Sequence, residues 1–224
     1  MKRIVFTIIL GLFFMESCID KEENCDHITE DTYEFVMHFT ISPAQEIYHI
    51  GDTITISSFV NNPIYERKTG NSYTLDNFKF YLVSYLYYMD TLIIDYSDFN
   101  RFEILLDSTY NQSIFTYSND NSSILGQYNY HNNQYSYKFK LIAKEKGRYL
   151  FTQGSDMDFY GKDQYFEGKC KNDVDARFYM NDRGDNNSHL LDEATNNHYS
   201  GYLAKDKIGS QYLDFGGYCF QVVD

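Results

Sequence analysis

The sequence predicts an all-β protein, a two-layered sandwich with enlarged loops and a loop-rich C-terminal segment, and three observations carry that reading. Thr53 to Asn61 alternates, with Ile54, Ile56, Ser58 and Val60 on one face and Thr53, Thr55 and Ser57 on the other, the period of a half-buried strand. Tyr135, Tyr137, Phe139 and Leu141 alternate in the same way against Lys138 and Lys140, so one face of that segment is buried and one solvated. The 224 residues include 23 Tyr and 18 Phe but only 2 Pro and no Trp, a composition that favours strands and supplies no Pro-rich linker.

In chain order, Lys2 and Arg3 form a short positive end, Ile4 to Met15 is apolar but for Thr7 and Gly11, and Ser17 precedes Cys18. That order is a secretory signal, and it falls short of the roughly 20 apolar residues a membrane-crossing helix requires. Met15, Glu16, Ser17 and Cys18 resemble the cleavage box of bacterial lipoproteins, although a charge at Glu16 departs from the small residue expected there. The resemblance implies that residues 1–17 are removed and that Cys18 is lipidated as the new first residue. The acidic run Ile19 to Glu23 resembles the tether of outer-membrane, surface-exposed lipoproteins of Bacteroidetes. The expected organisation is thus a signal peptide at 1–17, a lipidated acidic tether at 18–32 and a sandwich domain at 33–224, with room for an added subdomain from about residue 155. The alternative is an ordinary secreted protein with an unpaired cysteine near its terminus.

The domain begins at Tyr33. Tyr33 to Ile41 reads as a strand ended by Pro43, and Gly51-Asp52 as the turn before Thr53. Phe78 to Tyr88 is a long apolar run answered by Thr91 to Asp95 after a Met89-Asp90 turn, and Phe102 to Leu106 is a further strand. Asn- and Ser-rich loops fill Ser108 to Ser123. Gln127 to Tyr130 and Gln134 to Ala143 flank His131-Asn132-Asn133, and Asn tolerates the positive φ of tight hairpins. Arg177 to Met180 is expected as a short strand, Ser188 to Ala194 as a turn or two of helix capped by Ser188, and Tyr218 to Val223 as the closing strand.

Two stretches resemble immunoglobulin-like domains. Ile41 through Ile56, with Pro43, Tyr48, Gly51, Asp52 and Thr53 as spaced here, resembles the opening of bacterial members. Gly147, Arg148, Tyr149, Leu150 and Phe151 resemble the start of strand F, where a tyrosine hydrogen-bonds back across a corner. The roughly 95 residues between the two motifs exceed a minimal seven-stranded domain, so enlarged loops or added strands are expected.

The net charge of -13 becomes -14 once Lys2, Arg3 and Glu16 are removed, which disfavours nucleic acid and anionic membrane faces as partners. The six histidines lack the spacing of a zinc site, and no phosphate loop or nucleophile elbow is present. No cofactor, metal or catalytic residue is therefore assigned. Asp156, Asp158 and Asp163, and Asp182, Asp185 and Asn187, form acidic loops without the spacing of a calcium loop. Arg183-Gly184-Asp185 spells an adhesion tripeptide. Asp52-Thr53-Ile54, Asp90-Thr91-Leu92 and Asp107-Ser108-Thr109 resemble the acceptor pattern for O-glycosylation in Bacteroides and its relatives; Thr53 falls in an expected strand, which singles out Thr91 and Ser108 in loops. With Cys18 lipidated, Cys25, Cys170 and Cys219 remain, and an oxidising compartment favours pairing; a Cys170 to Cys219 bridge is expected. The functional expectation is a non-catalytic cell-envelope lipoprotein with a binding or assembly role and no specific ligand assigned, a glycan or a protein being the candidate partners, with a glycan-binding protein of a nutrient-uptake system or a fimbrial, adhesive subunit as alternatives. The tyrosines serve either as half-buried sheet residues or as stacking platforms for sugars, and the lack of Trp favours the former.

Overall fold

The computed structural model describes residues 32–92, 97, 99–161, 164, 174–203 and 207–224. Its strands are Tyr33–Ser42 (β1), Ile47–His49 (β2), Thr53–Asn61 (β3), Ile64–Tyr65 (β4), Ser72–Tyr73 (β5), Tyr81–Tyr88 (β6), Phe102–Leu106 (β7), Asn111–Thr116 (β8), Ser122–Gln127 (β9), Asn129–His131 (β10), Gln134–Ala143 (β11), Gly147–Ser155 (β12), Val174–Met180 (β13) and Tyr218–Val223 (β14). One six-stranded sheet runs β10-β11-β3-β1-β13, with β7 also paired to β11. The other runs β2-β14-β12-β6-β9-β8.

Taken as strands A to G, β1, β3, β6, β7, β11, β12 and β14 have the immunoglobulin-like arrangement, A-B-E-D in one sheet and C-F-G in the other. Strands have been added to that frame, as its length demands. The β8–β9 hairpin extends the second sheet beyond β6, β13 pairs in parallel with β1 through Tyr33↔Val174 to Phe39↔Met180, and β2 pairs in parallel with β14.

The alternating faces meet as expected. Ile54, Ile56, Ser58 and Val60 of β3 and Tyr135, Tyr137, Phe139 and Leu141 of β11 are buried against Leu82, Leu86, Tyr149, Phe151, Tyr218 and Phe220 of the second sheet. Asn132 and Asn133 take φ of 49° and 63° in the two-residue turn between His131 and Gln134, where both central positions require the left-handed region. The corner also forms: the Tyr149 hydroxyl donates to the carbonyl of Glu145 at 2.9 Å. Gly126 permits a close approach across the core, because a Cβ there would sit 2.5 Å from the Tyr137 ring.

Three local expectations need correction. The stretch Ser108 to Ser123 is not all loop: β8 lies within it, but as a sheet edge exposed along nearly its whole length it carries polar residues that read as a loop. Thr91 and Leu92 form no strand, and residues 93–95 lie outside those described. The partners of β6 are β12 and β9, and Arg148 holds the turn by binding the Asp90 carboxylate with its backbone N–H at 2.9 Å and its Nε at 2.7 Å. At Ser188–Leu191 there is a single 3₁₀ turn preceded by Asn187 in the left-handed conformation, and the Ser188 hydroxyl donates to Asp185 rather than capping the turn.

Candidate binding cleft

The two faces of the second sheet are covered differently. Its inner face meets the first sheet. Its outer face is covered only in part, by a layer of short helical turns at Ser188–Leu191, Tyr199–Leu203 and Ile208–Leu213. Met89, Leu150, Leu190, Leu191, Tyr199, Tyr212 and Cys219 form a second apolar cluster under that layer, separate from the main core. Where the cover stops, a cleft of about 760 Å³ opens over β6 and β12.

Its floor follows from strand periodicity. Along β6, Leu82, Ser84 and Leu86 point into the core, so Tyr85 and Tyr87 point outward. Their rings stack at 6.1 Å with an interplanar angle of 23°. Across β12, Thr152 and Gly154 also face outward, and Gly154 leaves the Tyr85 ring close to bare backbone, since a Cβ there would lie 3.2 Å from that ring. The walls come from β13 through Asp175 and Arg177 and from the C-terminal layer through His198, Tyr202 and Phe215. Burial raises the phenol pKa of Tyr85, Tyr87 and Tyr202 above the ordinary value, so all three hydroxyls stay neutral donors at physiological pH.

The wall is anchored by charge. Burial lowers the Arg177 pKa, but hydrogen bonding to Glu34 and the charge of Asp175 outweigh it and hold it above the ordinary value; the distances are 2.7 Å and 3.2 Å. Arg67 joins Glu34 to Asp214, and Arg183 binds Asp214 at 2.9 Å. Beside Asp214, the Phe215 carbonyl accepts from Gln153 N–H at 2.6 Å, while Asp214 accepts from Phe178 N–H at 2.9 Å. This link ties the C-terminal layer to β12 of one sheet and β13 of the other. Gln153 Nε2 and Arg177 Nε are buried without a hydrogen-bond partner.

The residues singled out in the sequence lie elsewhere or serve structure. Cys18, Cys25, Cys170 and Asp163 lie outside the described residues. The expected bridge to Cys170 thus falls outside the described residues; the Cys219 thiol itself is buried beneath the C-terminal layer, and burial pushes its pKa up to about 12 against a hydrogen bond with Tyr212. Ser108 is exposed at the turn closed by Tyr110 N–H to Asp107 O, whereas Thr91 is half-buried. Arg183 is held by Asp214 and by the Tyr179 ring at 4.7 Å, and Asp185 accepts from Ser188, so both charged ends of the Arg-Gly-Asp tripeptide are engaged within the fold. Asn187 donates to the Cys219 carbonyl at 2.8 Å, and Asp158 stands at the cleft rim. Among the described residues no group of three or more His, Cys, Asp or Glu is placed to hold a metal ion, and no helix is long and apolar enough to cross a membrane. Sequence reasoning missed Tyr85, Tyr87, Thr152, Arg177 and Tyr202 as a group. The available signal was the outward-facing aromatic pair within an otherwise apolar strand.

No family model and no curated protein matches the chain. Solved structures similar to parts of it include AvmM, described as catalysing macrocyclization in alchivemycin A biosynthesis, at 14% identity and a TM-score of 0.31 over 66% of this chain and 85% of that one. The reeler domain of human F-spondin is similar at 9% identity and a TM-score of 0.32 over 62% and 90%. A type II cohesin domain from the cellulosome of Acetivibrio cellulolyticus is similar at 10% identity and a TM-score of 0.25 over 60% and 81%.

Proposed function

We propose that this chain is a lipid-anchored, non-catalytic binding protein of the bacterial cell envelope, and that the cleft over β6 and β12 is its binding surface. The observation that carries the reading is the half-covered sheet face: a structural layer buries one part of it, while stacked tyrosines floor the other. Concave sites with aromatic walls and a few fixed polar groups are the usual form of ligand pockets. The order of residues 1–18 supports attachment through Cys18, whose acyl chains would each contribute about 0.8 kcal/mol per buried CH₂. On this reading the envelope is the outer membrane, the protein faces outward, and the acidic tether carries the domain clear of the lipid. Exposed Ser108 is the better-placed of the two O-glycosylation acceptors.

Two measurements test the proposal. Cys18→Ala should abolish labelling by a fatty-acid analogue and release the protein from membranes; labelling that persists in this variant rejects the anchor. A screen of small fragments by amide NMR should concentrate its shifts at Tyr85, Thr152 and Tyr202. Shifts scattered over the surface, with none in the cleft, reject the binding site.

A further inference from the structure

Resting on the cleft reading, the side chains around it point to a chemical class of ligand. We infer that the cleft takes a neutral carbohydrate chain, with sugar rings laid on the Tyr85–Tyr87 strip and their hydroxyls answered by the walls. Three observations converge on that class.

First, the floor is aromatic. Tyr85 and Tyr87 lie two residues apart on one strand with their rings stacked at 6.1 Å, so they place two phenol rings side by side on the outer face. Tyrosine combines an apolar body with a polar tip, and these phenols remain neutral. Such a floor suits a ligand with apolar C–H faces and polar edges.

Second, the charge in the cleft is balanced among the described residues. Glu34 and Asp175 flank Arg177, and the lining sets Asp158 and Asp175 against Arg177 and Lys207. An anionic ligand would meet the two carboxylates, and a cationic one would compete with the arginine already in place. The cleft therefore favours a ligand without net charge.

Third, the walls are too polar for an apolar ligand. Arg177 Nε is buried in the wall without a hydrogen-bond partner, beside the outward-facing Thr152 and Tyr202. Buried donors left unpaired cost on the order of 1–3 kcal/mol each, and oxygen acceptors relieve that cost. A ligand with apolar faces, many oxygens and no charge is a carbohydrate.

The test uses the full chain purified in detergent, titrated calorimetrically with neutral polysaccharides (amylopectin, galactomannan and xyloglucan), with acidic ones (polygalacturonate and heparin) and with adenosine as a flat aromatic probe. At least one neutral polysaccharide should bind, with affinity changing less than twofold between 0.1 and 0.5 M salt, on the order expected when no net charge is paired. Tyr85→Ala should weaken that binding at least tenfold while Tyr85→Phe, which keeps the ring, retains it, and Tyr65→Ala, on the separate two-stranded β4–β5 sheet, should have no effect. Melting curves identify any variant that does not fold; should Tyr85→Ala be one, Gly154→Leu, which crowds the same ring, serves in its place. The inference is overturned by binding confined to acidic polymers or adenosine, by no binding of any neutral polysaccharide, or by neutral binding that both cleft substitutions leave intact. Fragment shifts in the cleft without sugar binding would remove the carbohydrate class alone, whereas sugar binding insensitive to the cleft substitutions would remove the cleft reading as well.

Discussion

The inner and outer faces of β6 and β12 are made by the same two strands, yet they serve opposite ends. Inward, Leu82, Ser84, Leu86, Tyr149, Phe151 and Gln153 are all buried, and Tyr149 packs on Phe102 at 4.9 Å and on Phe220 at 5.5 Å. Outward, Tyr85 and Tyr87 remain half-buried beside Thr152 and Gly154. The residue type does not distinguish the faces, since tyrosine stands on both. What distinguishes them is the destination of the hydroxyl. Tyr48, Tyr135, Tyr149 and Tyr212 each donate to a backbone carbonyl, of Pro43, Leu75, Glu145 and Asn186 respectively, and so pin loops to the core. These four buried tyrosines act as staples, whereas the outward Tyr85 and Tyr87 rings floor the cleft.

The largest expected effect separates the two faces directly. Tyr137→Ala should destabilise the fold by about 4 kcal/mol, the range for deleting a large aromatic from a packed core, measured as a shift in the denaturant midpoint at unchanged slope. A loss below 1 kcal/mol would show that the inner tyrosines are not core. Next comes the charge link that holds the outer cover. Glu34→Gln should cost about 3 kcal/mol, because it leaves Arg67 and Arg177 short of a buried partner, and it should loosen the C-terminal layer first, seen as faster amide exchange at Tyr199 and Tyr212 than at Phe139. Uniform loss of protection would sink that assignment.

Acid sharpens the same contrast. Burial raises the Glu34 pKa, but hydrogen bonds from Arg177 and Arg67 lower it further, and for Glu66 burial is likewise outweighed by hydrogen bonds from the Thr69 hydroxyl and the backbone N–H groups of Glu34, Lys68 and Thr69. Both folded values lie below the unfolded value of about 4.3, so each carboxylate contributes stability above that pH and loses it as pH falls through the folded value. Stability should therefore be flat from pH 7 to 5 and decline steeply below about pH 4.3, with a shallower decline in Glu34→Gln. Equal acid slopes in the two proteins would show that Glu34 is not responsible.

Much of the frame was legible because its strands are half-buried. Thr53–Asn61, Phe102–Leu106 and Tyr218–Val223 match their sequence expectations end to end, and the Asn132-Asn133 turn follows from residue type. Local pattern was weaker where burial did not alternate, as at the exposed edge strand β8. In β13, Val174, Ala176, Phe178 and Met180 do alternate, but the Gly- and Asp-rich sequence before them obscured the first half of the strand, and parallel pairing with β1 leaves no local signature. The cleft was hidden for a different reason: Tyr85, Arg177 and Tyr202 are far apart in the chain, and only the C-terminal layer brings them together. The tyrosine count foreshadowed such a surface without saying which rings would form it.

Tyr149→Phe should cost about 1 kcal/mol, the typical net worth of one hydrogen bond, because the ring keeps its packing and only the bond to Glu145 is lost. An unchanged melting midpoint would show that the corner contributes through packing alone.

The smallest expected change in stability is at Tyr85, and its smallness is the point of the comparison. The ring is half-buried and stands on the outer face beyond the second apolar cluster, so Tyr85→Ala removes contacts on one side only. The loss should be at most about 1 kcal/mol, well under the 3–5 kcal/mol of a core aromatic. A strand position that tolerates alanine would not hold a large aromatic for the sake of the fold, since small or polar residues serve equally well on a solvated face. The same substitution should instead weaken ligand binding in the cleft at least tenfold. Calorimetric melting of Tyr85→Ala beside Tyr137→Ala makes the comparison quantitative: if both cost the same, the outer ring is structural and the distinction between the faces fails.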